Sequence, residues 1–156
     1  MKDLQTLEVI QKSEPFGADF YEHYRFVDDG YSFYKASEVF SKENAKHNYE
    51  PIYAFKRGMK FRVFASYGPE SSSLDLYVQR KNAENEWDKP SKIQGIANTL
   101  KDEAYPFFDS ENGYLYFSSK GHESMGGFDL FRSIYKLEDN QSSNVENLHF
   151  PYSSPN

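Results

Sequence analysis

The 156-residue chain contains no cysteine and no apolar run long enough to cross a membrane as a helix. Without cysteine, disulfides, thiolate zinc sites and cysteine nucleophiles are all excluded. Without a long apolar run, a membrane-spanning helix is excluded as well. The N-terminal stretch also lacks the apolar core of a secretory signal peptide, so we expect either a cytoplasmic protein or a piece trimmed from a longer one.

Basic residues are in the minority, with 18 Lys and Arg against 24 Asp and Glu and a net charge of −6. Because nucleic-acid affinity comes largely from clustered Lys and Arg, this balance predicts that nucleic acid is not a partner. Aromatic residues, in contrast, are abundant: 14 Phe, 13 Tyr and one Trp make up 18% of the chain. A chain this rich in rings favours strands over helices.

One motif recurs along the chain at an interval of 53 to 56 residues. Residues 105–133 align with residues 49–79, and a weaker copy surrounds Asp19. The aligned pairs are Pro51 with Pro106, Gly58 with Gly113, Phe64 with Phe117, Gly68 with Gly121, and Asp75 with Asp129. Residues 150–156 read like a further copy of the stretch at 105–112. Repetition at a fixed period is typical of solenoids, propellers and repeat arrays.

Each copy is predicted to fold as a unit of four short antiparallel strands. A Pro-led aromatic stretch at 106–109 turns at Gly113, where glycine allows a positive φ, into a second strand at 114–119. A loop of small residues then leads to a third strand at 128–135, and in the earlier copy the fourth strand is predicted at 86–94. Four short strands in a repeat of this length indicate a β-propeller blade.

The predicted fold is therefore all-β, with about two and a half tandem four-stranded antiparallel propeller blades. The predicted divisions are a tail or short helix at 1–15, a partial blade at 16–48, a blade with its inter-blade linker at 49–104, a blade at 105–149, and the start of another at 150–156. The polar segments 37–48 and 137–147 are predicted to be loops. Because propellers usually close with four to eight blades, we expect a fragment of a larger protein or a chain that associates to complete a ring.

The repeat resembles the WD40-like, TolB-type β-propeller repeat, in the version found in cell-envelope proteins with a C-terminal OmpA-like domain, some of which belong to type IX secretion machinery. The resemblance is strongest at 87–133, moderate at 49–79 and weak at 16–37. The matching residues are Asp19, Gly58, Asp75, Trp87, Asp102, Glu103, Pro106, Gly113, Gly121, Gly126, Gly127 and Asp129. The resemblance implies a non-catalytic propeller without a cofactor that scaffolds protein contacts in the periplasm or at the outer membrane. The implied partners are other envelope proteins or the remaining blades of the same propeller.

No segment carries the pattern of a catalytic or metal site. Ser124 follows His122 closely, but the Gly-x-Ser-x-Gly pattern of a nucleophile elbow is missing, so this segment is predicted to be an inter-strand loop. The acidic stretch 109–113 lacks the spacing of an EF-hand and is predicted to be a turn. The four histidines do not form an HExxH pattern. The sequence therefore predicts no catalytic residue and no metal ligand.

Asp75 and Asp129 lie between apolar residues at the start of the predicted third strands. A buried carboxylate is unfavourable unless hydrogen-bond donors satisfy it, so both are predicted to accept backbone N–H groups across the adjacent loop. Asp102 and Glu103 are neighbours in the linker that the resemblance implies, and we expect them to be structural caps there.

Binding in propellers is usually carried by loops on one rim. The loops 67–73 and 121–127 occupy equivalent positions in two copies, so they are predicted to share a rim. The candidate exposed residues of that rim are Tyr67, Pro69, His122 and Met125. Two alternatives to protein scaffolding remain open: a propeller that binds carbohydrate or peptidoglycan fragments through exposed rings, and the propeller part of a hydrolase.

Overall fold

The structure, a computed structural model, describes residues 31–35, 39–69, 71–124, 127–150 and 152–153. These residues form mainly β-structure with one short helix, and a sheet is curled into a half barrel. Most of the predicted partial blade, including Asp19, lies outside the described residues, as do Met125 and Gly126. Among the helical residues that the structure describes, none forms a segment long and apolar enough to span a bilayer.

Ten strands occur in the described part of the chain. They are β1 Tyr31–Lys35, β2 Ile52–Lys56, β3 Phe61–Tyr67, β4 Leu74–Arg80, β5 Ser91–Lys92, β6 Gln94–Gly95, β7 Glu103–Asp109, β8 Tyr114–Ser119, β9 Asp129–Lys136 and β10 Gln141–Asn147. The helix α1, Ser41–Lys46, lies between β1 and β2. The predicted second and third strands at 114–119 and 128–135 are confirmed as β8 and β9.

The strands form two main sheets and a two-stranded ribbon. The ribbon pairs β1 with β2, and the first sheet has the order β3-β4-β5. The second sheet has the order β6-β10-β9-β8-β7. In it, β7 to β10 run as an antiparallel meander, and β6 joins β10 in parallel.

The two sheets repeat the same strand register. Phe64 lies opposite Tyr77 as Phe117 lies opposite Phe131, Val78 opposite Ser91 as Arg132 opposite Glu146, and Lys81 opposite Trp87 as Tyr135 opposite Ser142. Each residue of the second sheet follows its counterpart by 53 to 55 positions. β3 and β4 therefore correspond to β8 and β9, and the segment after β4 corresponds to β10.

Two equivalent ring stacks mark the interior. Phe64 stacks on Tyr77 with ring centroids 6.1 Å apart, and Phe117 stacks on Phe131 with centroids 6.0 Å apart. Both phenylalanine rings are fully buried. Burial of each such ring stabilises the fold by about 1.5–3 kcal/mol. The aromatic residues that repeat in the sequence are therefore the residues that hold the two units in the same form.

Strand β7 joins the two sheets into one core. It belongs to the second sheet but also lies against β3 and β4 of the first. Phe108 of β7 makes edge-on ring contacts with Phe61 of β3, at 5.5 Å, and with Tyr135 of β9, at 5.2 Å. Buried residues of both sheets belong to a single apolar cluster.

The first strand of the two units behaves differently. β7 pairs with β8, and the turn between them has the predicted form, because Gly113 has a φ of 72° and the Asp109 carboxylate accepts two backbone N–H groups of the turn. β2 pairs with β1 instead of β3, so the hairpin predicted from the alignment does not form in the earlier unit. The Tyr53 hydroxyl of β2 instead bonds to the N–H and C=O of Ala65 in β3, at 3.0 and 3.1 Å.

The loop prediction for residues 37–48 was wrong, because part of this segment forms α1. Asn44 fastens the helix to β3. Its side-chain N–H₂ donates to the Val39 carbonyl, and its oxygen accepts from the Ser66 hydroxyl and the Tyr67 N–H, each at 3.0 Å. A polar helix that would be marginal alone is thus held by one buried amide.

The loop prediction for residues 137–147 was also wrong, because β10 forms there. Its polar residues do not alternate with apolar ones, yet the segment pairs with the free edge of β9. The register of this pairing shifts between Ser143 and Glu146. The predicted fourth strand at 86–94 is shorter than expected. It consists of β5 and of an isolated bridge at Trp87.

Leu148 and Ser153 take the roles that Ile93 and Asn98 have in the first unit. The N–H of Ile93 donates to Leu76 and that of Leu148 to Leu130, both at 2.9 Å, while the N–H of Leu76 donates to Asn98 and that of Leu130 to Ser153. The described residues beyond 147 therefore correspond to the linker between the units. The predicted start of another blade at 150–156 lies largely outside the described residues.

Candidate interaction surface

Each of the two loops predicted to share a rim has a glycine near its start. A Cβ atom on Gly68 would overlap the hydroxyl of Tyr77, and a Cβ atom on Gly121 would overlap the side chain of Thr99. Both glycines are therefore required by close packing. They determine how the chain leaves β3 and β8 at equivalent positions of the repeat.

The rim candidates of the first loop differ in exposure. Tyr67 is half-buried, with its ring stacked on His47 at a centroid distance of 3.8 Å and edge-on to Tyr49 at 5.7 Å. Pro69 is exposed. Tyr67 is thus part of a three-ring cluster with α1 and the segment after it.

His122 is not the exposed rim residue that the sequence predicted. Its ring contacts Phe117 at 5.9 Å and Phe131 at 5.3 Å, and its Nε2 atom lies 3.0 Å from the carbonyl oxygen of Ala97. The loop folds its histidine inward because this ring covers the buried stack of the second unit. Ser124, two residues on, donates its hydroxyl to the Lys120 carbonyl at 2.9 Å.

The two repeated aspartates are buried and are held by equivalent residues. Asp75 forms an ion pair with Lys92, at 2.7 Å from Nζ, and accepts a hydrogen bond from the Ser71 hydroxyl. Asp129 accepts a hydrogen bond from the side-chain amide of Asn147 at 3.2 Å. Lys92 and Asn147 occupy the same repeat position. The donors that we find at Asp75 are side chains, whereas backbone donors were predicted.

Glu103 is fully buried at the start of β7. Its carboxylate accepts hydrogen bonds from the N–H of Thr99 at 2.9 Å, the hydroxyl of Thr99 at 2.6 Å and the hydroxyl of Ser119 at 2.8 Å. Burial nevertheless raises the pKa of Glu103 above its usual value, because it outweighs these hydrogen bonds. In the first unit the equivalent serine, Ser66, bonds to the neutral amide of Asn44.

Asp102 links the two units through its carboxylate. It accepts the N–H of Leu74 at 3.1 Å and forms an ion pair with Lys120 at 2.8 Å. Partial burial works to raise the pKa of Asp102, but the hydrogen bonds from Lys120 and Leu74 and the charge of Lys120 together bring it below its usual value. Glu103 thus caps a backbone group of the linker region, whereas Asp102 caps the first N–H of β4.

Trp87 lies between two cations at the edge of the first sheet. The guanidinium carbon of Arg62 is 4.3 Å from the ring centroid, and Nζ of Lys81 is 5.1 Å from it. Cation–π contacts of this kind are worth about 0.5–1 kcal/mol when exposed. The Trp87 ring is 37% exposed, so it is part of the protein surface, where Arg62 and Lys81 stabilise it.

In the part of the chain that the structure describes, one exposed and two half-buried rings lie together on one side of the second sheet. In β8 and β9 every second residue is buried, so the residues between them form an outward side. We define the outer face as this side together with the adjoining residues of β7 and β10. Its members are Phe107, Tyr114, Tyr116, Arg132, Ile134 and Glu146. Phe107 is 58% exposed and Ile134 is 39% exposed.

The outer face is an ordered row of contacts. Phe107 and Tyr116 have ring centroids 6.4 Å apart, and Tyr114 and Tyr116 have centroids 6.3 Å apart. The guanidinium of Arg132 lies 5.0 Å from the Tyr114 ring centroid, and its Nε atom lies 2.8 Å from a Glu146 carboxylate oxygen. A salt bridge between β9 and β10 therefore borders the rings of β7 and β8 on one side.

The equivalent positions of the first sheet are covered. Phe61, Val63 and Val78 correspond to Tyr114, Tyr116 and Arg132. Val63 and Val78 are buried in the core that the first sheet forms with β7. The sequence predicted the binding surface on the rim loops, so the outer face was missed. The replacement of two valines by Tyr and Arg at matching positions is the sequence signal that could have found it.

A groove of about 390 Å³ runs between the end of β2 and the turn after β7. Aromatic rings and charged side chains line it, among them Phe55, Lys56, Tyr105, Phe107, Asp109 and Glu111. Tyr105 is 68% exposed and has a φ of 51°, in the left-handed region, at a break in the pairing of β7 with β8. The bulge turns its ring away from the sheet interior.

Among the residues that the structure describes, no three His, Asp or Glu side chains are grouped so as to hold a metal ion. Neither a family model, nor a curated protein, nor a solved structure matches the chain.

Proposed function

We propose that the chain is a non-catalytic repeat module of the β-propeller type that scaffolds protein–protein contacts in the bacterial cell envelope. It would act within a larger outer-membrane-associated or secretion-linked protein. The single observation that carries the scaffolding proposal is the outer face, where the half-buried side chains of Tyr116 and Arg132 occupy positions whose counterparts in the first sheet, Val63 and Val78, are buried against β7. The resemblance of the sequence to the TolB-type repeat supports the envelope location.

The composition of the outer face supports a protein partner. Tyr, Phe and Arg are enriched at the centres of protein interfaces, whereas Lys and Glu are depleted there. Phe107, Tyr114, Tyr116 and Arg132 lie side by side on this face. Contiguous exposed rings on a folded surface mark interaction sites.

The polar groups around the predicted rim support a structural role for that end of the molecule. His122 is directed to the Ala97 carbonyl and Ser124 to the Lys120 carbonyl. Asp102 and Glu103 bond to backbone groups of their neighbours. Because these groups are engaged in bonds within the protein, we propose that the interaction surface is the outer face of the second sheet and not the rim.

Site-specific photo-crosslinking tests this proposal. A photoreactive amino acid at position 116 should form adducts with proteins of a bacterial envelope fraction. The matched control carries the same group at Glu84, which is exposed in the turn after β4, on the first sheet. We expect adducts at position 116 only. Equal labelling at both positions, or none at 116, would contradict the proposal.

The groove beside Tyr105 favours a second candidate, the binding of carbohydrate or peptidoglycan fragments. Exposed Tyr and Phe rings stack on the apolar faces of sugars, and nearby charged groups can bond to hydroxyl groups. Titration calorimetry with soluble peptidoglycan fragments tests it. Tyr105→Ala should abolish the binding heat, whereas Tyr152→Ala, which removes a 70% exposed ring outside the groove, should not. Equal heats for the two variants would rule out this candidate.

A further inference from the structure

We propose that the Asn112–Gly113 peptide is a covalent modification site, at which the asparagine loses ammonia, and that Asp109 keeps this site unreactive while the turn after β7 is closed. The chain contains one Asn-Gly sequence, and it is this pair. Asparagine is a labile residue, most of all before glycine, which has no side chain to obstruct attack by its own nitrogen. Asn112 is exposed in the hairpin turn, where solvent reaches it.

The reaction needs only water and this pair of residues. The Gly113 nitrogen gives up its proton to solvent and attacks the side-chain carbonyl carbon of Asn112. A bond forms between this nitrogen and Cγ, the bond from Cγ to Nδ2 breaks, and the amide nitrogen leaves as ammonia after taking a proton from solvent. Water then opens the resulting succinimide ring. Opening at one carbonyl gives aspartate, and opening at the other gives isoaspartate, in which the backbone continues through the side chain.

The attacking nitrogen is held in the closed turn. The N–H of Gly113 donates to the Asp109 carbonyl at 2.8 Å, and the Gly113 carbonyl accepts the N–H of Tyr135 at 2.9 Å. Attack requires the nitrogen to turn toward the Asn112 side chain and to come within about 3–3.5 Å of its carbonyl carbon. The two backbone hydrogen bonds oppose this rotation, because the glycine is fixed on both sides.

The amide that would be attacked is held by the carboxylate of Asp109. Nδ2 of Asn112 donates to one carboxylate oxygen at 2.7 Å. The other oxygen accepts the backbone N–H groups of Glu111 at 3.0 Å and of Asn112 at 3.3 Å. The hydrogen bond from the Asn112 side chain holds the pKa of Asp109 below its usual value, so the carboxylate remains an acceptor at neutral pH. Asp109 thus binds both reacting groups, one through its backbone and the other through its side chain.

Neither product fits the closed turn. Aspartate at position 112 would bring a second carboxylate to the place of Nδ2, so that two like charges face each other. Isoaspartate adds a backbone carbon between Asp109 and Tyr114, which pair with each other at the ends of β7 and β8. Modification therefore opens the turn and is not reversed by refolding. Asp109 and Glu111 also line the groove beside Tyr105, so the change adds negative charge near it.

Peptide mapping by mass spectrometry of the purified chain tests the proposal. Trypsin releases residues 102–120, in which Asn112 carries the one side-chain amide, so replacement of NH₂ by OH in this peptide reports this site alone. The chain is incubated at mildly alkaline pH before digestion. We expect the folded wild type to convert at least about tenfold more slowly than the same chain in guanidinium chloride, because the closed turn must first release hydrogen bonds to a charged group.

Three variants test the role of Asp109. Asp109→Asn keeps an oxygen for the backbone N–H groups but loses the acceptor of the Asn112 amide, and it should accelerate conversion of the folded chain by about tenfold. Asp109→Ala loses both contacts and should accelerate it further. Ser110→Ala, the matched control, changes an exposed residue of the same turn and should react as the wild type does. In guanidinium chloride all four chains should react alike, because the turn is open in each.

The comparison of rates decides between the outcomes. Equal conversion of folded and denatured wild type would overturn the proposal. Asp109→Asn reacting as slowly as the wild type, or Ser110→Ala reacting as fast as Asp109→Asn, would overturn it as well. Circular dichroism verifies that each variant is folded. Should Asp109→Ala fail to fold, the folded Asp109→Asn chain decides the role of the carboxylate.

Discussion

The first and second sheets are formed by two copies of one repeated sequence motif, and they differ in which elements of the fold cover them. Their pairing registers agree residue by residue, and their central ring stacks have nearly the same geometry. The first sheet is buried on both sides, whereas the second is open on its outer face. The residues that the copies share therefore set the strand register. The residues that differ, such as Val63 against Tyr116, correspond to the presence or absence of a covering strand.

The edges of the two sheets differ in a related way. At Ser118, β8 is extended by the backbone of β7, opposite Ala104. At the equivalent Ala65, β3 meets the single hydroxyl of Tyr53. The same backbone position can thus be completed by a strand or by a side chain. Whether a strand or a side chain occupies the position depends on the pairing of the preceding segment, and β2 pairs with β1.

The largest test of this comparison uses two equivalent leucines. Leu76 is fully buried in the first sheet, whereas Leu130 is half-buried in the second. Leu76→Ala should lower the free energy of unfolding by about 2–5 kcal/mol. Leu130→Ala should lower it by about 1 kcal/mol, because less apolar surface is removed from the interior. Urea denaturation followed by circular dichroism measures both losses. Equal losses of unfolding free energy in the two variants would contradict the proposed difference between the two sheets.

The buried aspartates should give the next largest effect. Asp75→Ala and Asp129→Ala should each lower the free energy of unfolding by about 1.5–3 kcal/mol, because each removes hydrogen bonds to a buried carboxylate. The effect at Asp75 should be larger, since Lys92 then loses its ion-pair partner. Thermal and urea unfolding of both variants would show this order. An unchanged melting temperature in either variant would contradict a structural role for that carboxylate.

A third test concerns the rim glycine of the first sheet. Gly68→Ala should lower the free energy of unfolding by about 1–3 kcal/mol, because the added methyl overlaps the Tyr77 hydroxyl. In the Tyr77→Phe background most of this loss should disappear. A double-mutant cycle gives the coupling directly. The second sheet already carries Phe131 at the position of Tyr77, so relief of the overlap would make the first sheet resemble the second. Equal losses in both backgrounds would contradict the overlap.

The smallest expected effect is a pH dependence confined to the second unit. The raised pKa of Glu103 favours its protonated form in the folded chain, so its stabilising contribution is present below the usual glutamate pKa of about 4.3 and is lost as pH rises through the raised value. The wild type should therefore lose stability relative to Glu103→Gln as pH rises from about 4 to about 7. Urea unfolding across this range measures the difference. A difference that grows in the opposite direction would reject this role for the carboxyl group.

The predominance of β-structure and several of its strands could be predicted because their signals are local. The third strands follow loops of small residues, and Gly113 permits the positive φ of the turn after β7. The 53 to 55 residue offset of the motif is reproduced in the paired strands, because the same rings occupy the same buried positions.

The remainder depends on contacts between distant residues. α1 exists because Asn44 reaches Ser66 and Tyr67, and β10 exists because β9 offers free backbone groups to a polar segment. Tertiary pairing overrides weak local preferences in both cases. His122 was misplaced for the same reason. Its direction depends on the carbonyl of Ala97, 25 positions earlier in the chain.

Side chains that bond to strand edges have a consequence for the solubility of the sheet. Free N–H and C=O groups on an edge strand are templates on which another chain can add a strand, and such addition leads to aggregation and amyloid. On one edge of the first sheet the Tyr53 hydroxyl bonds to both polar groups of Ala65. On the other edge the Asn98 amide bonds to both polar groups of Leu76. Two uncharged side chains thus block intermolecular strand addition at these positions without the lysine or proline that edge strands commonly use.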